Sequence, residues 1–224
     1  MIRTFSLLFI FSLFSCKPNQ DINAIAHPVH VDGFMQKKLE TELMGMRKQK
    51  DEYFKTASES PLPAHLKQVF TSLEYYSPDW KYRFEGPVIR YPNAAKFQMI
   101  TTSGVWRDAL KYGYITFELD GKGFKLEVYR LLDLAEKKLL FVPFVDANVG
   151  KETYSAGRYI DLQEKPDGRY VIDFNTAYNP SCAYGGDFPC PVTPKENHLP
   201  IAIPAGEKIL PLAAALERTK VKGV

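Results

Sequence analysis

Two alternating runs separated by Asp120-Gly121 constrain this chain more than any other feature. Ile115-Thr116-Phe117-Glu118-Leu119 alternates apolar and polar side chains, and the run from Phe124 to Val128 does the same. A period of two is the pattern of a strand with one buried face. An Asp-Gly pair between two such runs is the strongest short signal for a tight hairpin. Other runs agree. Tyr82-Arg83-Phe84-Glu85 alternates, and Leu139-Leu140-Phe141-Val142 reads as a fuller apolar strand. Pro166-Asp167-Gly168 marks a turn between Tyr159-Ile160 and Tyr170-Val171-Ile172. Turns at this spacing, without βαβ alternation, repeats or low-complexity tracts, predict a mainly β domain. The expected form is an antiparallel meander from Leu73 to Val171 that closes into a sandwich or an open barrel.

Upstream the period changes. Phe34, Leu39, Leu43, Met46, Tyr53 and Phe54 recur at roughly helical spacing among Lys, Glu and Arg. This predicts an N-terminal amphipathic helix from Phe34 to Ala57, with Asp32 as its N-cap and Ser60-Pro61-Leu62-Pro63 as its end. The stripe reads as a packing face, with a partner-docking face as the rival. A shorter helical turn follows through His65 and Phe70.

The first sixteen residues speak of location. Arg3 precedes an apolar run from Phe5 to Phe14, too short for the ~20 apolar residues of a spanning helix. The run ends in Leu13-Phe14-Ser15-Cys16, a small residue directly before a cysteine, which is the lipoprotein pattern with a bulky Phe14. The expected organisation is a lipoprotein signal peptide over residues 1–15, a tether over 16–31 and one β-rich domain with its helix over 32–224. The expected membrane contact is a lipid anchor at Cys16, with palmitate among its acyl chains. Lys17 in place of aspartate points to the outer membrane of a bacterial cell envelope. The tether holds His27 and His30, read as solvated rather than metal-binding. A net charge of +3 with both signs interleaved leaves no basic stripe for nucleic acid.

The last third is dense in polar motifs. One block is Glu152-Thr153-Tyr154-Ser155-Ala156-Gly157-Arg158-Tyr159. A second runs from Asp173-Phe174-Asn175-Thr176-Ala177-Tyr178-Asn179-Pro180 into Ser181-Cys182-Ala183-Tyr184. A third comprises Cys190-Pro191, Glu196-Asn197, Leu199-Pro200 and Ala205-Gly206-Glu207. These ordered blocks resemble a bacterial and archaeal family known as a domain of unknown function, DUF1684. Arg47, Lys50-Asp51, Phe54, Ser60-Pro61-Leu62 and Leu73-Glu74-Tyr75-Tyr76 also fit it, with Ser72 where the family tends to have glycine. The resemblance implies a compact β-rich domain and no established activity.

The side chains of these blocks are the candidate site. Glu152, Tyr154, Arg158, Tyr159, Asp173, Asn175, Tyr178, Asn179, Glu196 and Asn197 are the expected ligand-binding residues. Tyr154, Tyr159 and Tyr178 would stack on or hydrogen-bond a ligand, and Arg158 would pair with an anionic group. The competing reading of Arg158 is an internal salt bridge with Asp146, Glu152 or Asp173. Asp173 and Asn175 share a strand face, where they either bind a ligand or tie down the loop that follows. Cys182 and Cys190 are the remaining thiols after Cys16. In an exported protein they are expected to form a disulfide; free or redox-active thiols, or a metal site with His198, are the alternatives.

Familiar catalytic motifs are missing. There is no G-x-S-x-G elbow and no H-E-x-x-H, and Gly150-Lys151 is followed by Glu152 rather than Ser or Thr. No cofactor, metal or catalytic residue is assigned. The expected function is a cell-envelope lipoprotein that binds a small polar or anionic ligand. The alternatives are a structural lipoprotein that docks a protein partner, or a hydrolase using two carboxylates from Asp146, Glu152, Asp173 and Glu196.

Overall fold

The computed structural model describes residues 25–133, 139–162, 164–186 and 188–211. The expected signal peptide, Cys16 and the first part of the tether lie outside the described residues. The described chain opens with strand β1 (Ile25–Pro28) and helix α1 (Gly33–Thr56), followed by the single turn α2 (Ala64–Lys67). The strands β2 (Arg83–Gly86), β3 (Ile89–Arg90), β4 (Lys96–Ile100), β5 (Trp106–Leu119) and β6 (Lys122–Leu131) follow. Then come β7 (Leu140–Phe144), β8 (Arg158–Leu162) and β9 (Tyr170–Asp173). They form one sheet in the order β8-β7-β6-β5-β1-β2-β9, with β3 and β4 also paired to β5. The two ends of this path meet: β8 runs into β9 through the turn at 166–168, and Glu164 bridges Tyr170. The sheet is therefore a nearly closed barrel, and the domain is mainly β with a helix near its N-terminus.

Strand β5 is the spine. One edge carries β6 along nearly its whole length. The other edge receives β4, β3 and β1 in succession. At the β5–β6 hairpin, Asp120 has φ 52° and Gly121 has φ 73° between the paired Leu119 and Lys122. Two successive positive φ angles match the right-handed twist of the flanking strands, which is why the Asp-Gly pair was informative. A bulge between Lys111 and Gly113 bends β5 where β4 gives way to β3.

Strand β1 corrects the sequence reading of residues 25–28 as tether. Ile25 pairs in parallel with Thr116, and His27 pairs antiparallel with Glu85. The strand fills the gap between β5 and β2. Its Ala26 is fully buried, and a Cβ on the facing Gly86 would lie 2.5 Å from Ala26 Cα. Four residues carry no usable period, and both partners are far along the chain, so nothing local announces this strand. His27 and His30 are exposed.

The barrel interior is built from rings. Phe84 and Phe117 stand 4.9 Å apart between centroids, and Phe174 meets Phe117 at 5.5 Å and Phe144 at 5.2 Å. Outside the barrel, Phe54 of α1 packs edge-on to Tyr184 at 4.7 Å, within a cluster that includes Leu66, Phe70 and Tyr154. A third cluster, with Met99, Tyr129, Phe141 and Tyr159, lies on the outer face of the sheet.

Helix α1 starts where expected: the Asp32 carboxylate accepts from the Met35 amide at 2.8 Å. Its packing face keeps only Leu43 and Phe54 of the predicted stripe as buried residues. Leu43, Arg47 and Phe54 are buried, whereas Phe34 (83% exposed), Met46 and Tyr53 face outward. Positions 43, 47 and 54 follow the i, i+4, i+11 line of one helical face. Arg47 belongs to it because its guanidinium donates to Tyr76 O at 3.1 Å and Asn175 O at 3.4 Å and covers the Tyr75 ring. A hydrophobic count passes over such a residue. Among the described residues, no helix is long and apolar enough to cross a membrane.

Candidate functional site

The polar blocks first build a frame. Arg158 begins β8 and is 1% exposed. Its guanidinium pairs with Asp146 at 3.3 Å and donates to Ile203 O at 2.9 Å, Glu207 O at 3.2 Å and Ala205 O. The Asp146 carboxylate also accepts from the Ile203 amide at 2.8 Å and the Thr153 hydroxyl at 3.2 Å. The pair thus staples the segment 203–207 across the barrel. Burial pushes the Arg158 pKa down, opposed by Asp146. The expected pairing of Arg158 with an anionic ligand is therefore corrected: its fork is spent on main-chain carbonyls and no solvent reaches it.

The neighbouring glycines serve the same frame. Gly157 has φ 94°, and a Cβ there would lie 2.5 Å from Phe144 O. Gly206 has φ 81°, and its Cβ would lie 2.6 Å from Phe174 O. Both motif glycines are places where the chain crosses another strand too closely for a side chain.

Four more expected ligand residues are occupied by the scaffold. Asp173 pairs with Arg83 and caps the turn at 174–176 through the Asn175 amide, at 2.9 Å. Asn175 exchanges hydrogen bonds with the backbone of Asp79, at 2.9 and 3.0 Å. Asn179 donates to Lys208 O at 2.8 Å. Asn197 is fully buried between β6 and β7, with the backbone of Glu127 on one side and Pro143 O on the other. Buried amides and carbonyls need partners, and these side chains supply them.

Glu152 and Glu196 lie on the surface. Glu152 accepts from the Tyr76 hydroxyl at 3.0 Å, and Glu196 lies 3.6 Å from Lys111. Asp146, Glu152, Asp173 and Glu196 thus each have a separate partner, and none is poised against another as an acid–base pair.

Sequence reasoning missed the hub of this frame. Glu207 is fully buried and accepts from Lys50 at 2.7 Å, the Asn179 amide at 3.2 Å and the Tyr184 hydroxyl. The signal was available: Lys50 and Glu207 both belong to the motif residues, and a buried carboxylate requires a cation.

Two of the expected residues do line a pocket. Tyr159 and Tyr178 stand edge to face at 5.8 Å, and Tyr159 meets Phe141 in the same way at 4.6 Å. With Phe188 they wall a concave site of about 280 Å³ on the outer face of the barrel. Its charged groups are Asp161 and Arg107. The Tyr178 hydroxyl donates to Asp161 at 2.9 Å, and the Tyr159 hydroxyl donates to Pro191 O. Arg107 holds Asp133 in a two-pronged pair at 2.8 and 2.9 Å. Desolvation by the surrounding groups pushes the Asp161 carboxyl up, against the Tyr178 hydrogen bond, although its outer side is open to solvent. Asp161 follows Tyr159 by two positions on β8, so their shared face was legible. Arg107 comes from a distant strand and was not. A second groove, of about 610 Å³, continues past Arg107 along the exposed Trp106. Another, of about 390 Å³ beside Ile25 and Tyr114, contains none of the block residues.

The thiols lie next to this pocket. Cys190 lines it, and Tyr154 reaches Cys182 with 3.6 Å between its hydroxyl and the sulfur. The expected Cys182–Cys190 disulfide is not formed in this structure: both thiols are free, and the Cys182 amide donates to Cys190 Sγ at 3.2 Å. Among the described residues, no group of three or more His, Cys, Asp or Glu side chains is placed to hold a metal ion.

Fold and site together define a small, nearly closed β barrel, stapled by a buried polar frame and carrying one aromatic-walled pocket beside a pair of cysteines. The chain belongs to the family described as "Protein of unknown function (DUF1684)", whose model matches residues 68–208. It is also similar to an uncharacterised protein of Haloarcula marismortui solved by solution NMR. The two are 35% identical, with a TM-score of 0.60 over 77% of this chain and 95% of that one. No curated protein matches the chain. Strands β2 to β9 and the pocket fall within the family match, whereas β1 and α1 precede it.

Proposed function

We propose that this protein is an exported, lipid-anchored binding domain of the cell envelope that holds a small polar ligand in the Tyr159–Tyr178 pocket. The observation that carries the reading is one concave surface combining four aromatic walls with a carboxylate oriented by a tyrosine. Rings supply apolar contact at little entropic cost, and Asp161 offers an acceptor to a ligand N–H or O–H. An anion entering here meets Asp161, and the single guanidinium of Arg107 is already paired with Asp133. Charge therefore favours a neutral or cationic polar group over an anionic one. For the anchor, the support is the run ending at Cys16. Eight residues lie between Cys16 and Ile25, and the nine extended steps that join the two reach only ~30 Å. An acylated Cys16 would keep the barrel close to the bilayer, and the outer membrane remains the expected one.

Two measurements test this. The full chain, expressed with its own leader and fed labelled palmitate, should carry label and sediment with membranes, and Cys16→Ala should abolish both. An unlabelled, unsedimented parent protein, or label and sedimentation that survive Cys16→Ala, would overturn the anchor. For the pocket, phenethylamine and 3-phenylpropionate serve as probes in an NMR titration. The amine should shift the amides of Tyr159, Asp161 and Tyr178, and the acid should bind about tenfold more weakly, ~1.4 kcal/mol. Tyr178→Ala should remove both effects. Shifts scattered away from these residues, or none with either probe, would end the pocket reading.

A further inference from the structure

We infer that Cys182 and Cys190 are an asymmetric thiol–disulfide exchange pair, with Cys182 as the attacking thiol and Cys190 as the resolving one. Geometry carries the inference. The cysteines sit on two separately anchored pieces of chain. Cys182 belongs to the turn Ser181–Tyr184, which is locked into the α1 contact through Tyr184. Cys190 is pinned to the end of β4: Thr102 donates its amide to Cys190 O at 2.9 Å, and the Cys190 amide donates to Thr102 Oγ1 at 3.3 Å. Between these anchors the Cys182 amide donates to Cys190 Sγ at 3.2 Å, which holds the two cysteines against each other. A bond between them closes a loop of seven intervening residues.

The two sulfurs are not equivalent. Cys182 is half-buried and reachable, whereas Cys190 is buried. Two donors face Cys182: the Cys190 thiol foremost, then the Tyr154 hydroxyl at 3.6 Å. They pull its thiol down to about 6, against the effect of burial. The same hydrogen bond, reinforced by burial, pushes the Cys190 thiol up. The other groups facing the pair are Tyr159 and Tyr178, whose hydroxyls burial holds above their usual range, and Arg107 on the Cys190 side. An accessible thiolate beside a shielded thiol is the arrangement that exchange chemistry uses.

The co-reactant is a low-molecular-weight disulfide, R–S–S–R. The Cys182 thiolate attacks one of its sulfurs. The R–S–S–R bond breaks, one thiolate RS⁻ leaves and takes up a proton, and Cys182 carries the mixed disulfide. Cys190 then gives up its proton and attacks Cys182 Sγ, expelling the second RS⁻, which is also protonated. Two protein thiols lose two electrons and two protons, and R–S–S–R is reduced to two RSH.

The test uses the reduced full chain, with iodoacetamide and oxidised glutathione as probes. Peptide mapping should show alkylation of Cys182 half-maximal near pH 6, rather than near the ~8.5 of an ordinary thiol. Cys190 should react at least about tenfold more slowly at pH 7. With oxidised glutathione the unmodified protein should pass to the internal disulfide. Cys190→Ser should stop at a glutathione adduct on Cys182, and Cys182→Ser should stay unmodified. If either variant fails to fold, the alkylation ratio in the unmodified protein decides alone. Equal alkylation of both thiols, or an adduct that accumulates on Cys190 in Cys182→Ser, would overturn the assignment. Neither result bears on whether the pocket takes phenethylamine.

Discussion

Replacing Arg158 with alanine destabilises the protein by about 3–5 kcal/mol, the usual cost of removing one partner of a buried ion pair. For a chain of this size that is a fall in Tm of about 6–20 °C. The loss has two parts. Asp146 is left buried, keeping only the Ile203 amide and the Thr153 hydroxyl. The carbonyls of Ile203, Ala205 and Glu207 lose their donor as well. Charge alone does not restore them: Arg158→Lys keeps the cation but not the planar fork, and it should recover less than half of the loss.

A double replacement separates the parts. Changing a buried pair to two apolar residues is often neutral, because both charges go. Here Arg158→Met with Asp146→Leu should remain well below the parent protein, since the orphaned carbonyls and the Ile203 amide remain. Urea unfolding of the four proteins checks this. If Arg158→Ala falls within about 1 kcal/mol of the parent, the staple is not structural, and Arg158 returns to the list of ligand residues.

The distance between sequence and structure has a physical origin at each residue. The β5–β6 hairpin was legible because its turn chemistry and its period are local and agree. Strand β1 was not, because its pairing with Thr116 and Glu85 is made entirely by distant chain. Helix α1 was legible in extent, through Asp32 and its long run. Its face was not, because Arg47 wins a buried place by hydrogen bonding rather than by hydrophobicity. The polar blocks were recognisable as unusual, yet their meaning was ambiguous. Arg158 and Asn197 bind main chain, and main chain is invisible in a list of side chains. Tyr159 and Tyr178 were found because aromatic side chains in loops and strand ends mark concave sites. Arg107 was not, since only folding brings it there. The cysteine pair was visible as a pair, but its asymmetry depends on Tyr154, which lies far away in the chain.

Asn197 should prove as costly to lose as Arg158, for a reason seated in the ladder between β6 and β7. Tyr129 pairs with Phe141, so the next rung of this antiparallel ladder would join Glu127 to Pro143. Proline has no N–H, and that rung cannot form. The Asn197 carboxamide takes its place. Its oxygen accepts from the Glu127 amide at 2.7 Å, and its nitrogen donates to Glu127 O at 2.9 Å and to Pro143 O at 2.7 Å. One side chain thus satisfies three buried backbone groups. Asn197→Leu, of similar size, leaves all three unpaired at ~1–3 kcal/mol each, so the expected loss is about 3–9 kcal/mol. Asn197→Asp should be no better, because a carboxylate turned toward two carbonyls has nothing to donate. The decisive variant is Pro143→Ala in the Asn197→Leu background. It returns an N–H to β7 and lets the strands close on their own rung, so part of the lost stability should come back. In the parent protein Pro143→Ala should have little effect, since Asn197 already occupies the gap. Urea midpoints for the four proteins give the coupling directly. Additive effects with no rescue would mean that Asn197 only fills space between the strands and does not replace the missing rung.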